Sequence, residues 1–180
     1  MVDEIYDVID RNGKKIGVGT WEEVHAKGLL HKNVHGILFR DESRSQVLLK
    51  KRTSNAFFFP ETIEIAAAGH VISGESPEEG IKREINEELF SNEGLPENIL
   101  IRKINSYFNN DCENNNEIAY IFEIIYNGSF VYDQQYSHKP FWADYKNTLE
   151  DMSINPGKYA RFSINALLEY NKSRSKYSKK

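Results

Sequence analysis

The stretch Gly69–Phe90, GHVISGESPEEGIKREINEELF, constrains this chain most, because it carries its own start signal. Ser76-Pro77-Glu78-Glu79 supplies an N-cap serine, a proline at the first helical position and a capping-box glutamate, which together set the register of a helix from Pro77 onward. At about 100° per residue, Glu84, Glu87 and Glu88 share a narrow arc, and Ile81, Ile85 and Leu89 form an apolar stripe roughly a quarter-turn away. One face of this helix packs and another collects carboxylates. Like charges at these spacings repel by roughly a few tenths of a kcal/mol per pair on an exposed helix, and by more when partly buried, so the trio calls for a neutralising partner. Gly80, one turn before Glu84, leaves open space beside the cluster, and Arg83 lies on its flank. Oxygen ligands grouped around open space suit Mg²⁺, with Mn²⁺ as the second choice, since both keep waters and accept phosphate oxygens. A solvated acidic helix face is the alternative reading of such a trio.

The flanking sequence predicts sheet. EIYDVID, an Asn12-Gly13 turn and IGVG form a hairpin over residues 4–19. TWEEVHAKG follows as a short helix, with Thr20 and Glu23 as a capping box and Gly28 as the stop. VHGILFR and QVLLKKR pair as an antiparallel hairpin, and TIEIAAA is a further strand. ILIRKINSYFNN and NEIAYIFEIIYNG are long strands around the Asn-rich loop NNDCENNN. FWADYKNTLEDM and SINALLEYNKSRSK read as C-terminal helices, over about residues 141–175, the second running into a frayed lysine-rich tail. The expected fold is α+β, an α/β/α sandwich with a mixed β-sheet flanked by helices, and residues 1–180 form one domain whose first 30 residues are a hairpin-and-helix extension.

Composition narrows the partners. A chain of 180 residues, 39% hydrophobic, fills one core. A net charge of −4 argues against a broad nucleic-acid surface, and no apolar run approaches the roughly 18 residues of a membrane span. The single Cys112 forms no internal disulfide, and the acidic N-terminus lacks the pattern of a signal peptide, which together point to the cytoplasm. The oligomeric state is left open, a homodimer included.

Gly69, Glu75, Arg83, Glu84, Ile85, Glu87 and Glu88 match the spacing of the Nudix box, G-x5-E-x7-R-E-U-x-E-E, where U is a bulky aliphatic residue. The chain therefore resembles the Nudix hydrolases. The resemblance implies hydrolysis of a pyrophosphate bond in a nucleoside diphosphate derivative or related organic diphosphate by attack of water at phosphorus. It implies metal-binding roles for Glu84, Glu87, Glu88 and the Gly69 carbonyl, and supporting roles for Glu75 and Arg83. Glu84 ranks first as general base and Glu117 second. After the box, Phe90 and Ser91 stand where the family has glycine and an aliphatic residue; Gly94-Leu95 suggests one extra helical turn before the same kind of stop.

A narrower likeness, over about residues 4–125, is to the isopentenyl-diphosphate isomerase-like branch, carried by EIYDVID, HAKGLLH, LLKKR, AAAGH and NEIAYIF. It implies a second metal site at His25, His31 and His70 with Glu117. Asn115 stands where a second glutamate ligand is expected, and Ala68 stands where the isomerases carry the proton-transferring cysteine. An alanine neither gives nor takes a proton, so the likeness points to an isomerase-like fold performing hydrolysis. Isomerase activity and a non-catalytic diphosphate-binding module are the alternatives. Two further residues are candidates for contacting substrate: Arg52, for phosphate, and Phe58, for a base. The rest of the Phe57–Phe59 run is expected to pack on the core, since three consecutive aromatics cannot all face a ligand. His35 and His138 have no predicted partner.

Overall fold

A computed structural model describes residues 4–110, 112–132 and 138–177. The loop residue Asp111 and the tail residues 178–180, parts of two segments read above, lie outside it. The chain opens with strands β1 (Ile5–Ile9) and β2 (Lys15–Thr20), paired antiparallel. Their turn is built as expected: the Asp10 carboxylate accepts from the amides of Asn12 and Lys14 at 2.9 and 3.0 Å, and Gly13 takes φ +80°. Helix α1 (Trp21–Ala26) follows under the Thr20–Glu23 capping box. Tyr6, Val8 and Val24 form a small core that seats this extension against Leu29 and Ile72.

The main sheet contains β3 (His31–Phe39), β4 (Gln46–Lys51), β5 (Ile63–Ile65), β6 (Ala67–His70), β7 (Leu100–Asn110), β8 (Asn116–Ile125) and β9 (Phe141–Asp144). Its central order is β5-β4-β3-β8-β7, with β6 on β3 and β9 on β4. β3 and β8 run parallel from His31↔Glu117 to Phe39↔Ile125, and β7 and β8 are antiparallel. Between β6 and β7 comes α2 (Pro77–Phe90), and after β9 come α3 (Tyr145–Ile154) and α4 (Arg161–Tyr177). Alternate residues of β3 serve the two faces: Ile37 and Phe39 pack with Met152, Leu167 and Tyr170, while Val34 and Leu38 pack with Ile81, Ile85 and Leu89 of α2. The mixed sheet between helices is the α/β/α arrangement expected. Gly36 lets α2 lie close, because a Cβ there would come within 3.0 Å of the Ile81 Cδ1.

Four expectations are corrected. The β3–β4 hairpin reduces to the pair Phe39↔Val47, since β4 otherwise pairs with β5 and β9 while the first half of β3 pairs with β6. TIEIAAA is two strands broken at Ala66, where the chain passes from β4 to β3. The segment expected as a helix from Phe141 begins as β9, because Phe141 and Trp142 are strong strand formers and complete the edge of β4; the helix starts at Tyr145, capped by the Asp144 carboxylate on the Asn147 amide at 2.8 Å. Helix α2 gains no extra turn. It stops at Phe90 with Ser91 left-handed at φ +46°, and the Asn86 side chain accepts the Gly94 amide at 2.8 Å. Among the described residues, no helix is long and apolar enough to cross a membrane.

Candidate functional site

The capping box of α2 forms in both directions, the Ser76 hydroxyl accepting the Glu79 amide and the Glu79 carboxylate accepting the Ser76 amide. The helix thus presents Glu84, Glu87 and Glu88 to a pocket of about 400 Å³. Gly69 of β6 lies against Glu84, and a Cβ at 69 would overlap that carboxylate. Arg83 organises the flank. It donates to both oxygens of Glu75 at 2.9 and 3.2 Å, to the His70 carbonyl at 2.7 Å, to Glu84 at 2.8 Å and to Glu87 at 3.3 Å. Glu75 also accepts the Ile72 amide at 3.1 Å, so the arginine is held at a fixed distance from the trio.

Glu88 has a partner that the sequence reading missed. The Lys50 ammonium, 0% exposed, lies 2.7 Å from its Oε1, and the Ala68 amide donates to its Oε2 at 3.2 Å. Lys50 is also 3.5 Å from Glu64, buried opposite it on β5, and Glu64 in turn pairs with Arg52. The signal was present as two opposite charges inside apolar strand segments, QVLLKKR and TIEIA. Arg52 also donates to the Phe58 carbonyl at 2.9 Å, so the candidate phosphate contact is already engaged at the pocket wall. Burial, and then the charge of Glu88, pushes Glu84 up to about 8 against the opposing pull of Arg83. Burial likewise raises Glu88, opposed by Lys50. Burial works against the Lys50 charge, but Glu88 and Glu64 hold its pKa above the usual lysine value.

Across the pocket, His25 of α1, His31 of β3 and His70 of β6 converge, each able to present one ring nitrogen within 4.8 Å of the others. The Nδ1 atoms of His25 and His31 lie 2.8 Å from the carbonyls of Trp21 and Leu29. A carbonyl only accepts, so each neutral ring carries its proton on Nδ1 and offers the Nε2 lone pair inward. The Nε2 atoms of all three are buried without a hydrogen-bond partner. Burial pulls His31 down to about 4 and His70 well below the usual imidazole value, which keeps both rings neutral. Glu117 sits 3.8 Å from His31 Nε2 and 3.7 Å from His70 Nε2, and its two oxygens accept from Asn33 at 2.6 Å and Asn109 at 2.8 Å. Asn115 and Ala68 line the same pocket; Cys112 is not among its lining residues.

All three phenylalanines of the aromatic run line the pocket, contrary to expectation: Phe59 also packs on the core, while Phe57, 73% exposed, and Phe58 stand beside Trp21, whose ring meets Phe57 edge-on at 4.8 Å. His35, without a predicted partner, is buried in β3 and shares a 3.1 Å hydrogen bond with the Tyr107 hydroxyl.

A NUDIX domain profile matches residues 29–153, more than half of the chain. The chain belongs to the NUDIX domain family. This NUDIX protein is 34% identical over 90 residues to an uncharacterised Nudix hydrolase of Clostridium acetobutylicum, covering 49% of this chain and 43% of that one. It is 25% identical over 163 residues to an isopentenyl-diphosphate Delta-isomerase of Serratia proteamaculans, covering 88% and 86%. Among solved structures, a Deinococcus radiodurans protein superposes with a TM-score of 0.74 at 18% identity, over 92% of this chain and 98% of that one. The NUDIX domain of Shewanella oneidensis NrtR, solved with ADP-ribose, gives 0.58 at 17% identity, over 81% and 86%. At these identities the superpositions speak for the fold. The NUDIX chain spans half or less of the length of the first Nudix hydrolases it matches, from Clostridium, Arabidopsis and Streptomyces.

Proposed function

We propose that this NUDIX protein is a Mg²⁺-dependent hydrolase, Mn²⁺ substituting, that cleaves the pyrophosphate bond of a nucleoside diphosphate derivative by attack of water at phosphorus, with residues 1–180 acting as one domain. The observation that carries the reading is the seating of Glu84, Glu87 and Glu88 beside Gly69 in one pocket, flanked by Arg83. The carboxylates Glu64, Glu75, Glu84, Glu87 and Glu88 outnumber the cations Lys50, Arg52 and Arg83 that pair with them, and burial disfavours the charged forms of Glu84 and Glu88 until a further cation is present. That excess fits a divalent cation and opposes a bare diphosphate. Glu84, Glu87, Glu88 and the Gly69 carbonyl are the groups that would hold the ion. When bound, such an ion would neutralise the diphosphate, polarise phosphorus and acidify water.

The remaining roles belong to the chain itself. Arg83, braced by Glu75 and the His70 carbonyl, orients Glu84 and Glu87. Glu84 is the better general base, because both oxygens of Glu117 already accept amide protons. Phe57, Phe58 and Trp21 offer ring faces at the mouth for a base, in keeping with the ADP-ribose seen in the NrtR NUDIX domain. The Nε2 lone pairs of His25 and His31, with the unpartnered Nε2 of His70, fit a second, nitrogen-rich ion held by the three rings.

That histidine cluster favours the second reading, isopentenyl-diphosphate isomerase activity, but Ala68 supplies no proton. The test is incubation with Mg²⁺ and a panel of nucleotides, dinucleotides, nucleotide sugars and isopentenyl diphosphate, following phosphate release and isomer formation together. Release of phosphorylated products from a nucleoside diphosphate derivative supports the hydrolase. Isomer formation without hydrolysis replaces it, and binding without turnover leaves a diphosphate-binding module.

A further inference from the structure

We infer that Lys50 is a built-in cation that takes the place of a second metal ion at the carboxylate cluster, so that Glu84, Glu87 and Glu88 together accept a single divalent ion. The inference rests on the metal-site reading above and deepens it.

A fully buried ammonium is costly unless it is paired, and Lys50 lies within ion-pair distance of two carboxylates, although neither meets it in hydrogen-bond geometry. It reaches Glu88 of α2 from β4, while Arg83 reaches Glu84 and Glu87 from within α2. The two cations therefore bracket the trio, Arg83 on Glu84 and Glu87, and Lys50 on Glu88. Both oxygens of Glu88 are engaged, one by the ammonium and one by the Ala68 amide. Glu84 and Glu87 meet Arg83 through one oxygen each. Removing the lysine would take one positive charge from the cluster and free Glu88, the condition in which a second divalent ion gains a place. The lysine also gives Glu88 a fixed position before any ion arrives, since the ammonium is buried against it.

The inference is tested by counting Mn²⁺ on the purified full chain after chelator treatment, from the electron paramagnetic resonance signal of free Mn²⁺. A His31→Ala background removes the histidine cluster from the count. The background protein is expected to bind one Mn²⁺, and Lys50→Gln to bind two, or one at least tenfold more tightly; Lys50→Arg should remain at one. If Lys50→Gln fails to fold, Lys50→Met, which keeps an unbranched apolar stem and removes the charge, takes its place and should show the same gain. One Mn²⁺ of unchanged affinity in all variants overturns the role of Lys50 while keeping the metal site. Two Mn²⁺ already in the background overturns it as well. No Mn²⁺ in any variant overturns both. Mn²⁺ bound only after Lys50 is removed supports the lysine as the cluster's cation and counts against the metal-dependent reading of the parent.

Discussion

The Glu84 carboxylate occupies the space that a side chain at Gly69 would need. Because the obstructing atoms are the end of a flexible side chain, Gly69→Ala should leave the fold in place and push the carboxylate aside. We expect kcat to fall by at least ~100-fold, as for loss of an orienting contact at a metal site, with the circular dichroism spectrum unchanged. Full activity in this variant would separate Glu84 from the chemistry.

Glu84→Gln and Glu88→Gln should each lower kcat by at least ~100-fold but move stability in opposite directions. The sequence alone predicts that both gain stability without metal, through relief of like-charge repulsion. The structure keeps that expectation for Glu84, whose charged form is disfavoured by burial and by Glu88. Burial disfavours the charged form of Glu88 as well, but neutralising this residue leaves the buried Lys50 with only the more distant Glu64, and that loss outweighs the relief. Breaking a buried pair costs about 3–5 kcal/mol when no partner remains; with Glu64 retained, about 2 kcal/mol is expected. Thermal melts in excess chelator check both signs.

His35 makes the fold acid-sensitive above the range where carboxylates titrate. Burial lowers its folded pKa from the usual 6.5 to about 3, so the neutral ring is favoured in the native state. Its contribution is fully present above pH ~6.5 and declines by about 1.4 kcal/mol per pH unit as the pH falls toward the folded value. Melting temperatures measured from pH 7 to 4.5 should drop steadily in the parent and less steeply in His35→Gln. Equal slopes would remove His35 as the cause.

Ala68 lines the pocket between the carboxylate and histidine clusters without a group that transfers a proton. The parent should therefore fail to exchange isopentenyl and dimethylallyl diphosphate, and Ala68→Cys should recover at most a trace, because a second proton-transfer group must also be placed to within about an ångström. Proton NMR in D₂O reads the exchange directly; deuterium entering the prenyl group of the parent's substrate at an appreciable rate would promote the isomerase reading.

What could be read from the sequence was local. Ser76, Pro77 and Glu79 act within one turn, so the start of α2 and the common face of Glu84, Glu87 and Glu88 followed from spacing alone. The Lys50–Glu64 pair depends on the β4–β5 register, and Lys50 reaching Glu88 depends on how α2 lies over the sheet, neither of which spacing encodes. Trp142 carried a strand signal that was outweighed by the helical pattern after it. Ser91 ended α2 because the Asn86 side chain and a left-handed backbone closed the helix without the glycine usually expected there. The histidines were named from resemblance; their inward lone pairs came from two backbone carbonyls, at Trp21 and Leu29, that only the folded chain brings into position.

The three imidazoles belong to α1, β3 and β6, and although α1 and β3 are near neighbours along the chain, β6 is not. Any ion that bridges them is therefore also a cross-link, closing a loop from residue 25 to residue 70 and pinning the N-terminal hairpin and helix to the sheet. Its binding energy would be drawn on whenever that extension tries to detach, so loading the cluster slows local opening at the front of the molecule while leaving the far side of the sheet, under α4, untouched. The same ion would then govern how long the pocket keeps its N-terminal wall.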